Sequence, residues 1–448
     1  MRLLNEFLGI TELPIMGKRF IHIFLVFQML NTFVLLLSNT FFILFTIDNI
    51  GFTQASLTVS FMLLVQLITD YPSGSLGDWL GQRWILAIAY TCYSAAFFML
   101  VFAESFTSFL TIAFFNGLGN AQASGAINAW LDNNYQKVVG EADPERKIYG
   151  FSRARIVTTN RVASTFAFLI GGTLATNISR QFVFWVQAFM AGFMIVLILS
   201  FIKDAQTGTL SETPDKSSNA YFKHFVGGIK FLFASRAAFF FIIGSAIFFS
   251  SFTIWGNLLL FPIYFGYTGS DSLASLLRTI VFVIGVPISL YTAKVSRRLT
   301  SDKVPHVTFL FVLIFFPGFI ILTSLAPLNN ELNILACIGT ILLMNGAIPT
   351  LFDLGATLRQ RILIDMIPPE NRNAVYSLIP SLISIFGVFL LPISGVFIEK
   401  SGIIIGVATA FGVGIAGAIL IYFGIYYYKS NLQYKAKSKT VQPSSVAV

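Results

Sequence analysis

Runs of about twenty residues, apolar on every side, recur along the chain from residue 19 almost to residue 429, separated by short polar breaks. A helix of that length crosses the roughly 30 Å hydrocarbon core of a bilayer. Membrane barrels show shorter segments of alternating polarity instead. The pattern therefore predicts an all-α integral membrane protein with about twelve transmembrane helices. They are expected at 19–47, 52–72, 84–103, 107–131, 151–176, 180–202, 237–265, 273–293, 305–326, 331–357, 374–398 and 402–428. The polar stretch "KDAQTGTLSETPDKSSN" at 203–219 divides them six and six.

Five segments follow from this pattern. A cytoplasmic segment (1–18) precedes an N-terminal six-helix bundle (19–202). A cytoplasmic linker (203–236) contains "YFKHFVGGIKFLFASR", whose mixed aromatic and basic residues suit an interfacial helix. A C-terminal six-helix bundle (237–428) and a Lys- and Ser-rich tail (429–448), expected to be disordered, complete the chain. The halves also echo one another. "ADPERKIYGFSR" opens the fifth span and "IPPENRNAVYSL" the eleventh, and each span then reaches a Gly setting, "LIGGTL" and "PISGVF". Two similar six-helix bundles around a cavity are the architecture of a secondary transporter.

Composition agrees: 56% of residues are hydrophobic and 11% charged, against roughly 25% charged in soluble domains. The net charge of +9 reads as a topology signal and implies no nucleic-acid partner. With the N-terminus placed in the cytoplasm, the inner segments collect nearly all of the 29 Lys and Arg, Arg359 and Arg361 included. Arg180, Arg278 and Lys400 fall outside, and Arg161 lies within a span. Both termini are therefore expected on the cytoplasmic side of the plasma membrane. Cys92 and Cys337 lie in apolar segments and the three His are scattered, so no metal site or cofactor is indicated. The N-terminus has no small-residue cleavage site after a short apolar core, and no removable signal is expected.

The break "DYPSGSLGDWLGQR" (70–83) carries the most chemistry. Gly74 and Gly81 suit a tight turn between the second and third spans, and Asp78 lies near the start of the third. No Gly-Lys-Ser/Thr follows, which argues against a phosphate loop. Together with the twelve-span topology, the stretch resembles the major facilitator superfamily, whose pattern here is Gly-x-x-x-Asp-Arg/Lys-x-Gly-Arg/Lys. Gly74, Asp78, Gly81 and Arg83 match, Trp79 and Gln82 depart from it, and Asp70 with Pro72 extends the likeness upstream. The resemblance implies a cytoplasmic latch in which Asp78 reaches the start of the eleventh span near Glu370–Arg372, and Arg83 pairs with Asp132. Asp70, Gly74, Asp78, Gly81, Arg83 and Asp132 are then gating residues. A solvated turn with a helix cap is the alternative.

Charges inside a span are costly and mark function. Arg161, near the middle of the fifth span, either binds an anionic substrate group or pairs with a carboxylate. Arg278 and Asp353 are lesser candidates. Asn116, Asn120, Ser124, Asn128 and Asp132 recur every four residues, one polar face along the fourth span. Gln28 and Asn31 form a similar stripe on the first span. The seventh offers Ser250, Trp255 and Asn257, and the tenth Asn345. The substrate set is thus Arg161, Asn120, Asn128, Gln28, Asn31, Trp255, Asn257 and Asn345, with interhelical hydrogen bonding as the competing role.

The expected function is secondary active transport of a small anionic or zwitterionic solute by alternating access, with the chain a monomer in the lipid bilayer. Proton coupling would need a carboxylate, for which Asp353 and Asp132 lead and Asp70 follows. Two other readings stand beside it: an efflux pump for amphipathic drugs or lipids, and a non-transporting receptor or assembly factor. The fourth-span polar face speaks against the last. Ala113, Asn116 and Gly117, with Ala167 and Phe168, lack the motifs of drug–proton antiporters in this superfamily. No nucleophile–base pair or cofactor motif suggests an enzyme.

Overall fold

The computed structural model describes residues 1–139, 142–202, 230, 232, 233, 235–367 and 372–440, with side chains except at 71–79, 125, 129, 133, 136, 372–374, 376, 377 and 431–440. Every regular element among them is helical. A short helix α1 (Arg2–Leu8) precedes α2 (Ile15–Leu36), α3 (Phe42–Leu80), α4 (Gln82–Leu100), α5 (Phe106–Val139), α6 (Lys147–Asn177) and α7 (Arg180–Phe201). Then follow α8 (Arg236–Ile254), α9 (Leu260–Thr268), α10 (Asp271–Ser296), α11 (Val304–Leu325), α12 (Ile334–Ala347), α13 (Asp353–Met366), α14 (Arg372–Ser401) and α15 (Ile403–Thr440).

Among the described residues, ten helical stretches are long and apolar enough to cross a membrane, and this is a multi-pass membrane protein. α5 and α6 have the length but are more polar: one carries the Asn row, the other Arg153, Arg155 and Arg161. Their polarity sets them apart as helices whose exposed face is not all lipid.

Three spans are broken. The first ends α2 at Leu36, passes through turns at 37–41 and resumes as the start of α3, which then bends at Gly51 (φ 75°) into the second span. The seventh is α8 and α9 joined by a π-turn at Trp255–Leu259, and the tenth is α12 and α13 joined by a π-turn at Ile348–Phe352. Both π-turns begin about 20 Å along the axis from their span's end, at Thr268 and Ile334 respectively. Such wide turns interrupt the regular ladder and favour functional positions.

The chain divides into two compact units. The first comprises Met1–Thr213, Leu260–Val283 and Leu328–Ile334. Its core includes Phe41, Phe45, Phe109 and Phe184, with Phe45 and Phe184 5.0 Å apart edge to face. α6 packs closely here. A Cβ on Gly171 would collide with the carbonyl of Leu37, where the first span breaks, and one on Gly172 would strike Ser275 of α10.

The second unit comprises Pro214–Leu259, Ile284–Pro327 and Leu335–Val448. Phe248, Phe252, Phe311, Phe315 and Phe352 form an aromatic cluster, with Phe252 and Phe352 centroids 4.1 Å apart. Each such contact contributes about 0.5–1.5 kcal/mol beyond its buried area. Part of the Phe content thus serves packing, while Phe102, Phe189 and Phe389 are exposed.

Replacing Gly171 by Ala forces α6 away from Leu37, and overpacking of this kind costs about 1–3 kcal/mol. Gly346→Ala, which meets no atom within 4 Å, should leave stability unchanged or slightly raised. Thermal unfolding in detergent distinguishes the two; equal melting temperatures would contradict the packing described.

Candidate functional site

From Asn120 onward the α5 row is bonded to its neighbours. Tyr93 of α4 donates its hydroxyl to Asn120 Oδ1 (2.9 Å), and Ser124 donates to Asp70 Oδ1 of α3 (2.7 Å). Arg153 of α6 donates from Nη2 to Asn128 Oδ1 (3.1 Å) and from Nη1 to the Tyr149 hydroxyl (2.9 Å). Tyr149 in turn donates to Asp132, whose Oδ1 lies 3.8 Å from Arg153 Nη1. The face expected to line a cavity thus holds α3, α4 and α6 against α5. Asp132 meets Arg153 and Tyr149 instead of the expected Arg83. The Arg83 side chain donates to the Leu199 carbonyl and lies 5.6 Å from the Trp84 ring.

Within the loop motif, Gly81 takes φ 90°, a conformation open to glycine, and starts α4. Gly74 sits inside α3 and makes no turn, because α3 runs to Leu80 and only then breaks. The side chains of Asp78 and Arg372, and Glu370 altogether, lie outside the described residues. Asp70 is placed on α3 by its bond to Ser124.

Arg161 is exposed and has no hydrogen bond or ion pair with a described side chain. It stands about 21 Å from the start of α6 and about 24 Å from its end. The exposed side of α6 is mixed: Arg161 stands with Thr158 and Thr165, Val157 lies one turn before it on the same side, and Val162, Phe166 and Ile170 run along the adjoining strip. Phe168 lies seven residues further along the Arg161 face, and over its ring, at 5.8 Å, sits the guanidinium of Arg278 from α10. Arg278 also lies 5.2 Å from Phe282 and has no carboxylate partner among the described residues. On α2, Asn31 accepts from the Tyr90 hydroxyl (2.5 Å), while the Gln28 side chain is half-buried and free of described partners.

At one end of this unit Arg180 holds two carboxylates. Its Nε and Nη2 donate to Asp271 at 2.7 and 2.9 Å, and Nη1 donates to Asp48 at 2.6 Å. Beside it, Thr40 and Ser275 hydroxyls lie 2.7 Å apart, and Ser272 N–H donates to Thr176 Oγ1 (2.9 Å). Sequence patterning gave no sign of this seam, because its members are single polar residues at span ends.

In the second unit, Ser289 of α10 donates to Asp353 Oδ2 of α13 (2.9 Å). Asn345 is buried; its amide donates to Ile341 O (3.1 Å), and its Oδ1 has no partner among the described residues. Asn257 donates to Thr253 O (2.8 Å) and Ser250 to Ala246 O (2.8 Å). Trp255, expected at the substrate, is 2% exposed and packs on Phe319 (4.5 Å) and Phe315 (4.8 Å). Arg359, expected among the loop cations, is instead 3% exposed. It lies 4.6 and 4.7 Å from the Phe248 and Phe249 rings, whose electron-rich faces stabilise the cation. Arg361 donates to Ser296 O (2.9 Å), capping the end of α10.

The sequence profile of the Major Facilitator Superfamily matches residues 23–356. Among solved structures, the nucleoside transporter NupG is similar at 14% identity and TM-score 0.72, covering 92% of this chain and 99% of its own. A D-xylose–proton symporter matches at 13% identity and TM-score 0.62, with 91% and 96% covered. A structure of proton-dependent oligopeptide transporters gives 12% and 0.59, with 92% and 99% covered. At these identities the likeness is one of fold. No curated protein sequence matches significantly.

The entry to α6 has a testable pH dependence. Asp143, buried between α5 and α6, accepts from Tyr135 Oη (2.8 Å), Tyr149 N (2.9 Å) and Ile148 N (3.2 Å). Burial pushes its carboxyl up, but these donors outweigh burial and hold it below the ordinary 3.8. The stabilisation is complete above the unfolded-state value and lost as pH falls through the folded one. Wild type should therefore lose stability on acidification below about pH 4 more steeply than Asp143→Asn; parallel melting-temperature profiles would refute this.

Proposed function

The chain belongs to the Major Facilitator Superfamily, and on that premise we propose that it carries a small anionic or zwitterionic solute across the plasma membrane by alternating access. The observation that carries this reading is Arg161. It is a charge at mid-helix, exposed, with no carboxylate partner among the described residues. A cation so placed is costly to keep unless a ligand supplies the anion. Gln28, whose side chain meets no partner among the described residues of the same unit, is a polar group available to orient the solute. Trp255 and the Phe cluster are occupied with each other, so this cluster is no argument for an amphipathic drug or lipid as substrate.

Asp353 is the carboxylate best suited to couple transport to protons. Its described partner is the neutral Ser289 hydroxyl, whereas Asp132 is committed to Arg153. A proton on Asp353 displaces no ion pair among the described residues. Both termini facing the cytoplasm and action as a monomer complete the proposal.

In proteoliposomes offered labelled anionic, zwitterionic and neutral solutes, wild type should accumulate members of the first two groups. Arg161→Gln should lower that flux at least tenfold, the effect of about 1.4 kcal/mol of lost binding. Unchanged flux in Arg161→Gln for every transported solute would exclude the role. Asp353→Asn should abolish stimulation by an imposed pH gradient while leaving solute exchange intact.

A further inference from the structure

Away from Arg161, the first unit holds a cavity of about 570 Å³ bounded by α1, α2 and α7. Its two ends differ in chemistry. Lys18 and Arg19, in the first turns of α2, stand at one end. Ile23, Val26 and Leu30 of α2, with Leu197 and Phe201 of α7, form the wall beyond them. From Lys18 to Leu30 the groove follows α2 for about 18 Å. That is a little over half of the roughly 30 Å hydrocarbon core, the depth of one leaflet.

Neither Lys18 nor Arg19 forms an ion pair with a described residue; Glu6, close in sequence, is bound to Arg2. α1 closes the basic end as an interfacial helix. Leu8 is fully buried, while Leu3 and Phe7 are exposed on its outer face. The cations therefore sit where lipid headgroups lie, above an apolar trough open to acyl chains.

We propose that this groove is a binding site for an anionic phospholipid, with its phosphate headgroup at Lys18 and Arg19 and one acyl chain along α2 and α7. Charge complementarity selects the headgroup. A zwitterionic lipid fills the trough but brings its own cation beside Lys18 and Arg19, and free phosphate meets the cations but leaves the trough unfilled. The bound lipid bridges α1, α2 and α7 and so steadies the segment leading into the broken first span.

The test uses the full chain in detergent, titrated with phosphatidylglycerol, phosphatidylcholine or inorganic phosphate. Melting temperature is followed, and bound lipid is counted by native mass spectrometry. Phosphatidylglycerol should protect at lower concentration than phosphatidylcholine, and phosphate should not protect. Each cation near the headgroups contributes about fivefold, so the Lys18→Gln/Arg19→Gln double variant should weaken phosphatidylglycerol binding by more than tenfold and leave phosphatidylcholine binding unchanged. Val26→Trp, which fills the trough without touching the cations, should weaken both lipids. Lys400→Gln, exposed at the end of α14, should change neither. Equal protection of wild type by the two lipids would overturn the proposal. So would a phosphatidylglycerol preference that survives in the double variant, or protection by phosphate alone that matches the lipid.

Discussion

One guanidinium sets the arrangement of the first unit. The fork of Arg180 at the head of α7 takes both oxygens of Asp271 on α10 and one oxygen of Asp48 on α3. Planar, two-point recognition of a carboxylate is what the fork does best. Asp271 is 8% exposed, so removing Arg180 would strand a nearly buried charge. The pair draws the start of α10 onto α6 and α7, where Gly172 leaves room for Ser275 and Thr40 meets the same hydroxyl. The break in the first span, the double glycine of α6 and the first turns of α10 are therefore one mechanical feature. An ion pair reinforced by hydroxyl contacts fixes these elements by direction as well as by proximity.

Elsewhere the charges of the first unit are sorted into bound and unbound. Asp132, Arg153 and Tyr149 satisfy one another, Asp70 takes Ser124, and Asp143 takes three donors. These groups build the scaffold, and a solute could recruit them only by displacing a protein partner. Arg161 and Arg278 are different, since each is a cation on a span without a described carboxylate. Phe168 joins them: it shares the α6 face of Arg161 and lies beneath Arg278. In the second unit the corresponding economy is aromatic. Arg359 is held by ring faces, and the two π-turns lie at similar depth in spans seven and ten.

Span positions were legible because twenty apolar residues leave few alternatives to a membrane helix. Arg161 was legible for the same reason: a lone charge stands out against such a background. The meaning of the α5 row was not, since i,i+4 spacing shows only that Asn120, Ser124, Asn128 and Asp132 share a face. Whether that face meets water or Tyr93, Asp70 and Arg153 depends on three other helices. Arg359 was misassigned because charge counting places a basic residue near a span end in a loop, and only tertiary packing supplies Phe248 and Phe249. Gly74 was assigned to a turn that Gly81 alone makes. The π-turn at Ile348–Phe352 has a sequence signal in Pro349, which cannot donate to the helical ladder; the one at Trp255–Leu259 contains no proline, and its extra residue is accommodated within a continuous helix.

The seam is the point on which this account is most exposed. In a Cys92→Ala/Cys337→Ala background, Thr40→Cys and Ser275→Cys place two thiols where hydroxyls now lie 2.7 Å apart. The rate of disulfide formation between them in native membranes is the decisive measurement. Rapid cross-linking, slowed severalfold when Arg180→Gln is added, is the predicted result. A pair that does not cross-link, or one whose rate ignores Arg180→Gln, would contradict it.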